Sequence, residues 1–209
     1  MLSLRKSTNQ FYLEKPLHTQ KGKMKRSDED LIQLYLESQD SRYFDMLYSK
    51  YATKVYSKCI SLLKDEIYAQ DATQDIFLKI FLNLAKFGGK SKFSTWVYSI
   101  TYNYCIDLIR KKKKHGNIFS DDIERAPDLE EEVPDSALLE MEVKKLKVVL
   151  DSIPVGDKAV LLMKYQDEMS IKEISNSLNK SESAIKMKLK RAKHKAQKIY
   201  LEKFSSSMS

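Results

Sequence analysis

Apolar residues recur at three- and four-residue steps along most of this chain, and runs that alternate apolar with polar residues are almost absent. Such a period suits helices with one buried stripe and leaves little for a sheet, whose half-buried strands need a two-residue repeat. Five glycines and four prolines in 209 residues point the same way. The chain is therefore read as all-α.

Punctuation divides the helical pattern. Ser27 followed by Asp28, Glu29 and Asp30 offers a capping hydroxyl and carboxylates at the positive end of a helix dipole, so the first helix starts there. A second helix is predicted from about Arg42 to Leu63, with Leu47, Tyr51, Val55, Cys59 and Leu62 on one stripe. A third runs from about Ile67 to Phe87 and is stopped by Gly88-Gly89, and a fourth is capped by Ser94 and continues through Trp96 and Ile106 into Arg110. These make one bundle over 27–114. Over 115–137 the period vanishes, and Pro127 and Pro134 interrupt an acidic stretch read as a flexible linker. Periodicity resumes at Leu138, pauses at Ile153-Pro154-Val155-Gly156-Asp157 and ends near Phe204, which gives a second domain over 138–204. Residues 1–26 have no helical period and are read as a disordered basic extension. Met24 directly precedes the Ser27 cap, so a later start codon is the alternative explanation of Met1–Lys23.

Charge is segregated along the chain. The net charge is +8, with five consecutive cations from Arg110 to Lys114, nine basic against two acidic residues from Lys180 to Lys203, and eight acidic residues between Asn117 and Ser136. An anionic partner is implied. No run of 18 apolar residues is present to cross a membrane, and Met1–Lys23 lacks the apolar core of a secretory signal, so a cytoplasmic protein without membrane insertion is expected. Cys59 and Cys105 lie 46 residues apart with no ligand-spaced Cys or His, which excludes a zinc motif and favours reduced core thiols. No metal and no cofactor is expected. No nucleophile stands beside a base and no glycine-rich phosphate cradle exists, so the function is read as binding rather than catalysis.

The sharpest local pattern is Ser170 to Lys195. Ile171, Ile174 and Leu178 share one face of a short helix, Asn179 suits a left-handed turn, and Ile185 and Leu189 face inward from a second helix. That second helix turns Ser183, Lys186, Met187, Lys190 and Arg191 outward, with Ser181 before it and Lys188 flanking, as a helix-turn-helix entering a major groove requires. An ordinary amphipathic hairpin with a solvated lysine face is the plain alternative. The run Ser183–Lys193 resembles the −35 recognition helix of sigma-70 family proteins, with Tyr165 and Met169-Ser170-Ile171 preceding it as in that family's domain 4. Two departures stand out: Lys180 sits where the turn is usually apolar, and lysines replace several arginines that read guanine with two hydrogen bonds.

The N-terminal bundle carries independent matches. Ala69–Phe77 resembles the sigma domain 2 helix that docks on the coiled coil of the polymerase beta-prime subunit, and Asp71, Gln74, Asp75 and Leu78 form its outer stripe. Lys92–Ile100, followed by Asn103 and Arg110, resembles the family's −10 melting and recognition segment. There Lys90, Lys92, Phe93, Ser94, Thr95, Trp96, Asn103 and Arg110 are the implied contacts to double- and single-stranded promoter DNA. A core role for Trp96 remains open. Ser99 and Ile100 stand where primary sigma factors carry adjacent tryptophans, which implies weaker melting and a stricter −10 requirement. The order of bundle, acidic linker and helix-turn-helix is similar to the extracytoplasmic-function group. The resemblance implies the beta-prime and beta subunits of core polymerase as partners, leaves room for an anti-sigma factor, and routes the linker near the polymerase active centre, where its acidic run either mimics nucleic acid or is a solvated spacer. A free-standing helix-turn-helix regulator with a sensing bundle is the rival. An adaptor for an acidic protein is a third and weaker one.

Overall fold

The computed structural model describes residues 26–115 and 133–204, which are helices and connecting turns, with no strand among them. Helix α1 (Asp28–Ser38) starts on a capping box: the Ser27 hydroxyl accepts the Asp30 backbone N–H at 3.0 Å, and the Asp30 carboxylate accepts the Ser27 N–H at 3.1 Å. Gln39 ends it in the left-handed region. Asp40 caps α2 (Ser41–Leu63), and Asp65 caps α3 (Glu66–Asn83) through the Tyr68 N–H.

Helix α3 tightens into a 3₁₀ turn at Leu84–Lys86, so the chain leaves α-geometry before reaching Gly88-Gly89. Gly89 then takes φ +66, which only glycine adopts without cost. Helix α4 spans Phe93–His115, so Ser94 lies inside its first turn instead of capping it.

The second half contains α5 (Ser136–Leu139), α6 (Val143–Ser152), α7 (Val155–Leu161), α8 (Ile171–Leu178) and α9 (Glu182–Phe204). Helix α7 widens into a π turn at Leu162–Gln166. The basic extension up to Lys25 and most of the acidic stretch, Gly116–Glu132, lie outside the described residues. The tail of that stretch belongs to the C-terminal packing. Val133 is buried, and the Asp135 carboxylate accepts the Tyr165 hydroxyl at 2.7 Å and the Lys193 ammonium at 2.8 Å.

Val55, Cys59, Ile76, Ile80, Tyr102 and Cys105 form the centre of the first half, and Met163, Met169, Ile174, Ile185 and Ala192 that of the second. Each fully buried Leu, Ile, Val or Met contributes roughly 1.5–3 kcal/mol. The two thiols face each other at 3.7 Å inside the bundle. Helices α2 and α4 also pack against α7, and α4 against α8, so the halves share one continuous core.

Candidate nucleic-acid interface

The 3.6-residue period places Lys79, Asn83 and Lys86 in line at the end of α3, facing Trp96, Asn103 and Tyr104 on α4. Between them lies an open cleft of about 460 Å³. Lys86 and Lys79 stand on the α3 wall, Lys79 stacked 4.7 Å over the Tyr104 ring, and Trp96 and Tyr104 on the α4 wall; cations beside rings are what a single-stranded nucleic acid uses, charge for its backbone and stacking for its bases. Trp96 is half-buried, tilted against Phe87 and Phe93 at ring separations of 5.5 and 5.7 Å, with an edge left to the cleft.

Trp96 and Asn103 are the −10 candidates that this cleft brings together. Phe93 is 1% exposed and packs edge-on against Tyr51 and Phe87, where it anchors the glycine loop. Lys90 and Lys92 are exposed on that loop, and Ser94 is half-buried beyond it. Arg110 is exposed farther along α4, 3.5 Å from Asp107. Thr95 is buried, its hydroxyl 3.4 Å from the Glu173 carboxylate of α8. Sequence reasoning missed Lys79, Asn83, Lys86 and Tyr104. Their signal was the four-then-three spacing of the first three on the polar side of α3.

On α3, Asp71, Gln74 and Leu78 are exposed, Leu78 at 56%. Asp75 accepts a hydrogen bond from the Tyr104 hydroxyl, and burial followed by that contact pushes the phenol up. One side of the stripe is thus tied to α4, and the rest is open to a partner.

The helix-turn-helix is built locally by its own sequence. Ser170 and Glu173 form a capping box at the start of α8, and Asn179 ends it at φ 50 and ψ 52, the left-handed geometry its short amide tolerates. Burial raises the Glu173 carboxyl, but the Ser170 N–H and hydroxyl hold it below the usual range. The Ser181 hydroxyl accepts the Ala184 N–H at 3.2 Å and opens α9. Ile185 and Leu189 are buried, while Ser181, Ser183, Lys186 and Met187 are exposed.

The other reader candidates are engaged in the fold. Lys188 lies 3.0 Å from Asp157, which also holds Lys195 at 3.3 Å. Lys190 and Arg191 are half-buried, and Arg191 Nε is buried without a hydrogen-bond partner among the described residues.

Where the halves meet, the contacts are polar. The Lys58 ammonium of α2 pairs with Asp167 at 2.5 Å, and the Tyr102 hydroxyl of α4 donates to the other Asp167 oxygen at 2.7 Å. Burial pushes Lys58 down while Asp167 holds it up, and burial drives the Tyr102 phenol well above its ordinary value. The Lys158 ammonium donates to the Ser61 carbonyl at 2.8 Å, and the Asn103 amide donates to the Ser177 carbonyl of α8 at 2.7 Å.

Two family models match in order, Sigma-70 region 2 over residues 47–115 and Sigma-70 region 4 over 144–195. The chain is similar to the ECF RNA polymerase sigma factor SigM of Bacillus subtilis, 29% identical over 157 residues, which are 75% of this chain and 94% of that protein. SigW of the same organism is 27% identical over 165 residues, covering 71% and 83% respectively. Among solved structures, CnrH in complex with the cytosolic domain of CnrY matches in fold with a TM-score of 0.58 at 20% identity, over 88% of this chain and all of that one. The sigma factor RpoE in complex with the anti-sigma factor NepR from Bartonella quintana matches with a TM-score of 0.56 at 16% identity, over 77% and 98%. Matched by both region models over more than half its length, the chain belongs to the sigma-70 family, in its extracytoplasmic-function group.

Proposed function

We infer that this chain is an RNA polymerase sigma factor that directs the core enzyme to particular promoters and promotes their opening in the cytoplasm, as a binding factor and not as a catalyst. The observation that carries the reading is the order of the two sigma-70 regions in one chain that also spans most of SigM and SigW. In this reading the α3 stripe of Asp71, Gln74, Asp75 and Leu78 grips the beta-prime subunit, and the C-terminal domain meets the beta subunit. The cleft at Trp96 and Asn103, with the loop cations Lys90 and Lys92, holds the unpaired −10 strand. The start of α9, from Ser181 to Lys186, enters the major groove at the −35 element. A first domain over 27–114 is proposed with it, and the second is extended from 138–204 to 133–204, because Val133 is buried and Asp135 accepts from Tyr165 and Lys193. An anti-sigma factor is proposed as a further partner, supported by the relative RpoE, whose structure is a complex with the anti-sigma factor NepR.

Run-off transcription with purified core polymerase on a genomic promoter library tests the reading. Chain-dependent transcripts from a subset of promoters are expected. Promoter binding by the chain alone as a dimer on two half-sites, with no transcripts added to core polymerase, would instead establish a free-standing regulator.

A further inference from the structure

The chain has two cysteines, and the fold brings them together. Cys59 of α2 and Cys105 of α4 are 46 residues apart, both are 0% exposed, and the Cys105 thiol donates to the Cys59 sulfur at 3.7 Å. A disulfide bond is about 2.05 Å long, so the sulfurs must close by roughly 1.7 Å, within the travel of a cysteine side chain turning about its Cα–Cβ bond. Neither the cleft nor the helix-turn-helix uses either thiol.

We propose that Cys59 and Cys105 form a modification site at which a small neutral peroxide makes a reversible disulfide inside the folded bundle. The bond forms whether or not the chain binds polymerase, so the site goes beyond the sigma-factor reading and does not rest on it. In a reducing compartment the two thiols are the resting state, and the disulfide is the transient one.

The two sulfurs have different roles. The hydrogen bond from Cys105, with a further contact from Thr73, holds the Cys59 thiol below its ordinary range against burial, whereas the same bond and then burial push Cys105 up. Cys59 is therefore the attacking sulfur. It attacks one peroxide oxygen: the S–O bond forms, the O–O bond breaks, and hydroxide leaves with the Cys59 proton as water. Cys105 then attacks the Cys59 sulfur: the S–S bond forms, the S–O bond breaks, and the second hydroxide leaves with the Cys105 proton as water. Two electrons pass from the sulfurs to the peroxide, giving one disulfide and two waters. The resolving sulfur already stands in contact, so the sulfenic acid is consumed before a second peroxide arrives.

Burial selects the oxidant. Buried thiols are inert to reagents that cannot reach them. Hydrogen peroxide is close to water in size and enters during local opening, whereas glutathione disulfide is large and charged and is kept out. With no third cysteine in the chain, the pair has no other partner within it. The segment between the sulfurs holds α3 and the Gly88-Gly89 loop, so the bond ties α2 to α4 around the half that carries the cleft.

The test treats the full-length chain with excess hydrogen peroxide or glutathione disulfide and follows it by peptide mass spectrometry, which separates cysteine from methionine oxidation. A peptide cross-linked between Cys59 and Cys105, cleaved by dithiothreitol, is expected with peroxide and not with glutathione disulfide. The peroxide-treated chain is expected to melt on the order of 10 °C higher than the same sample after dithiothreitol, which leaves methionine sulfoxide in place. In Cys105→Ala the Cys59 sulfenic acid is expected to persist and be captured by dimedone, and in Cys59→Ala the remaining thiol is expected to stay reduced. Thiols that do not react, cysteines that gain oxygen without a cross-link, or links between chains would overturn the site, and none of these readouts needs a variant to fold. Equal cross-linking by glutathione disulfide would overturn the selection by burial, an unchanged or lower melting temperature would overturn the brace, and oxidation of Cys105 in Cys59→Ala would overturn the order of attack.

Discussion

Lys186 and Lys188 lie two residues apart on α9 and should behave differently toward DNA. Lys186 is exposed on the outward face, whereas Lys188 sits 3.0 Å from Asp157, whose carboxylate is 9% exposed and is shared with Lys195. Drawing Lys188 to a phosphate would leave a nearly buried carboxylate with one partner fewer, so Lys188 is expected to remain with the protein. Each phosphate contact contributes about 0.9 to the slope of log affinity against log salt. Lys186→Ala should therefore lower that slope by about 0.9, so that between about 50 and 200 mM salt its promoter affinity falls about 3.5-fold less than that of the parent. Lys188→Ala should leave the slope unchanged and cost about 1 kcal/mol of stability, because its side chain is still 42% exposed and the pair is partly screened. A salt titration of holoenzyme on a promoter duplex measures the first quantity, and urea unfolding of the chain alone the second. Equal slope changes in the two variants, with no loss of stability in Lys188→Ala, would refute the reasoning.

Leu78→Asp adds a charge to an exposed α3 position and should weaken retention by immobilised core polymerase while leaving the melting temperature unchanged. Ile174→Ala empties a fully buried site in α8 and should cost roughly 2–5 kcal/mol in a urea titration. The Asp135 carboxyl is held below its usual range by Lys193 and then Tyr165, so its contribution is present above the ordinary carboxylate pKa and is lost as pH falls through the depressed one. Melting temperature followed downward from about pH 5 should therefore fall less steeply in Asp135→Asn than in wild type; identical profiles would remove Asp135 from the account.

The helices and their ends were legible because they are written locally. Ser27 with Asp30 and Ser170 with Glu173 are capping boxes within four residues of sequence, and Asn179 announces its own left-handed turn. The shift of the α4 start from Ser94 to Phe93 reflects packing: Phe93 is drawn into the core against Tyr51 and Phe87, and the helix begins with it. Which side of α9 faces solvent was also legible, since a 3.6-residue period sorts exposed Lys186 from buried Leu189. What the sequence hid is how the halves meet. Lys58 falls on the Val55–Cys59–Leu62 core stripe, a misplaced cation that calls for a partner, but nothing near it in the chain names Asp167, 109 residues away. Asp157 and Asp135 were hidden in the same way. They pair with Lys188, which stays half-exposed, and with Lys193, which is nearly buried, and only the tertiary fold brings those carboxylates to α9.

Helix α9 spans 23 residues, about 35 Å at about 1.5 Å per residue, while a major groove is only about 12 Å wide. Its first turns, proposed above to read DNA, are exposed; the remainder, through Ala192, Ala196, Tyr200 and Phe204, packs on the other helices of the C-terminal half. The helix is thus a lever with its fulcrum in the core. A tilt of about 5° along those ~35 Å displaces the reading tip by roughly 3 Å, a whole hydrogen-bond length. Substitutions at Tyr200 or Phe204, far from any base, are accordingly positioned to alter which promoter the tip fits.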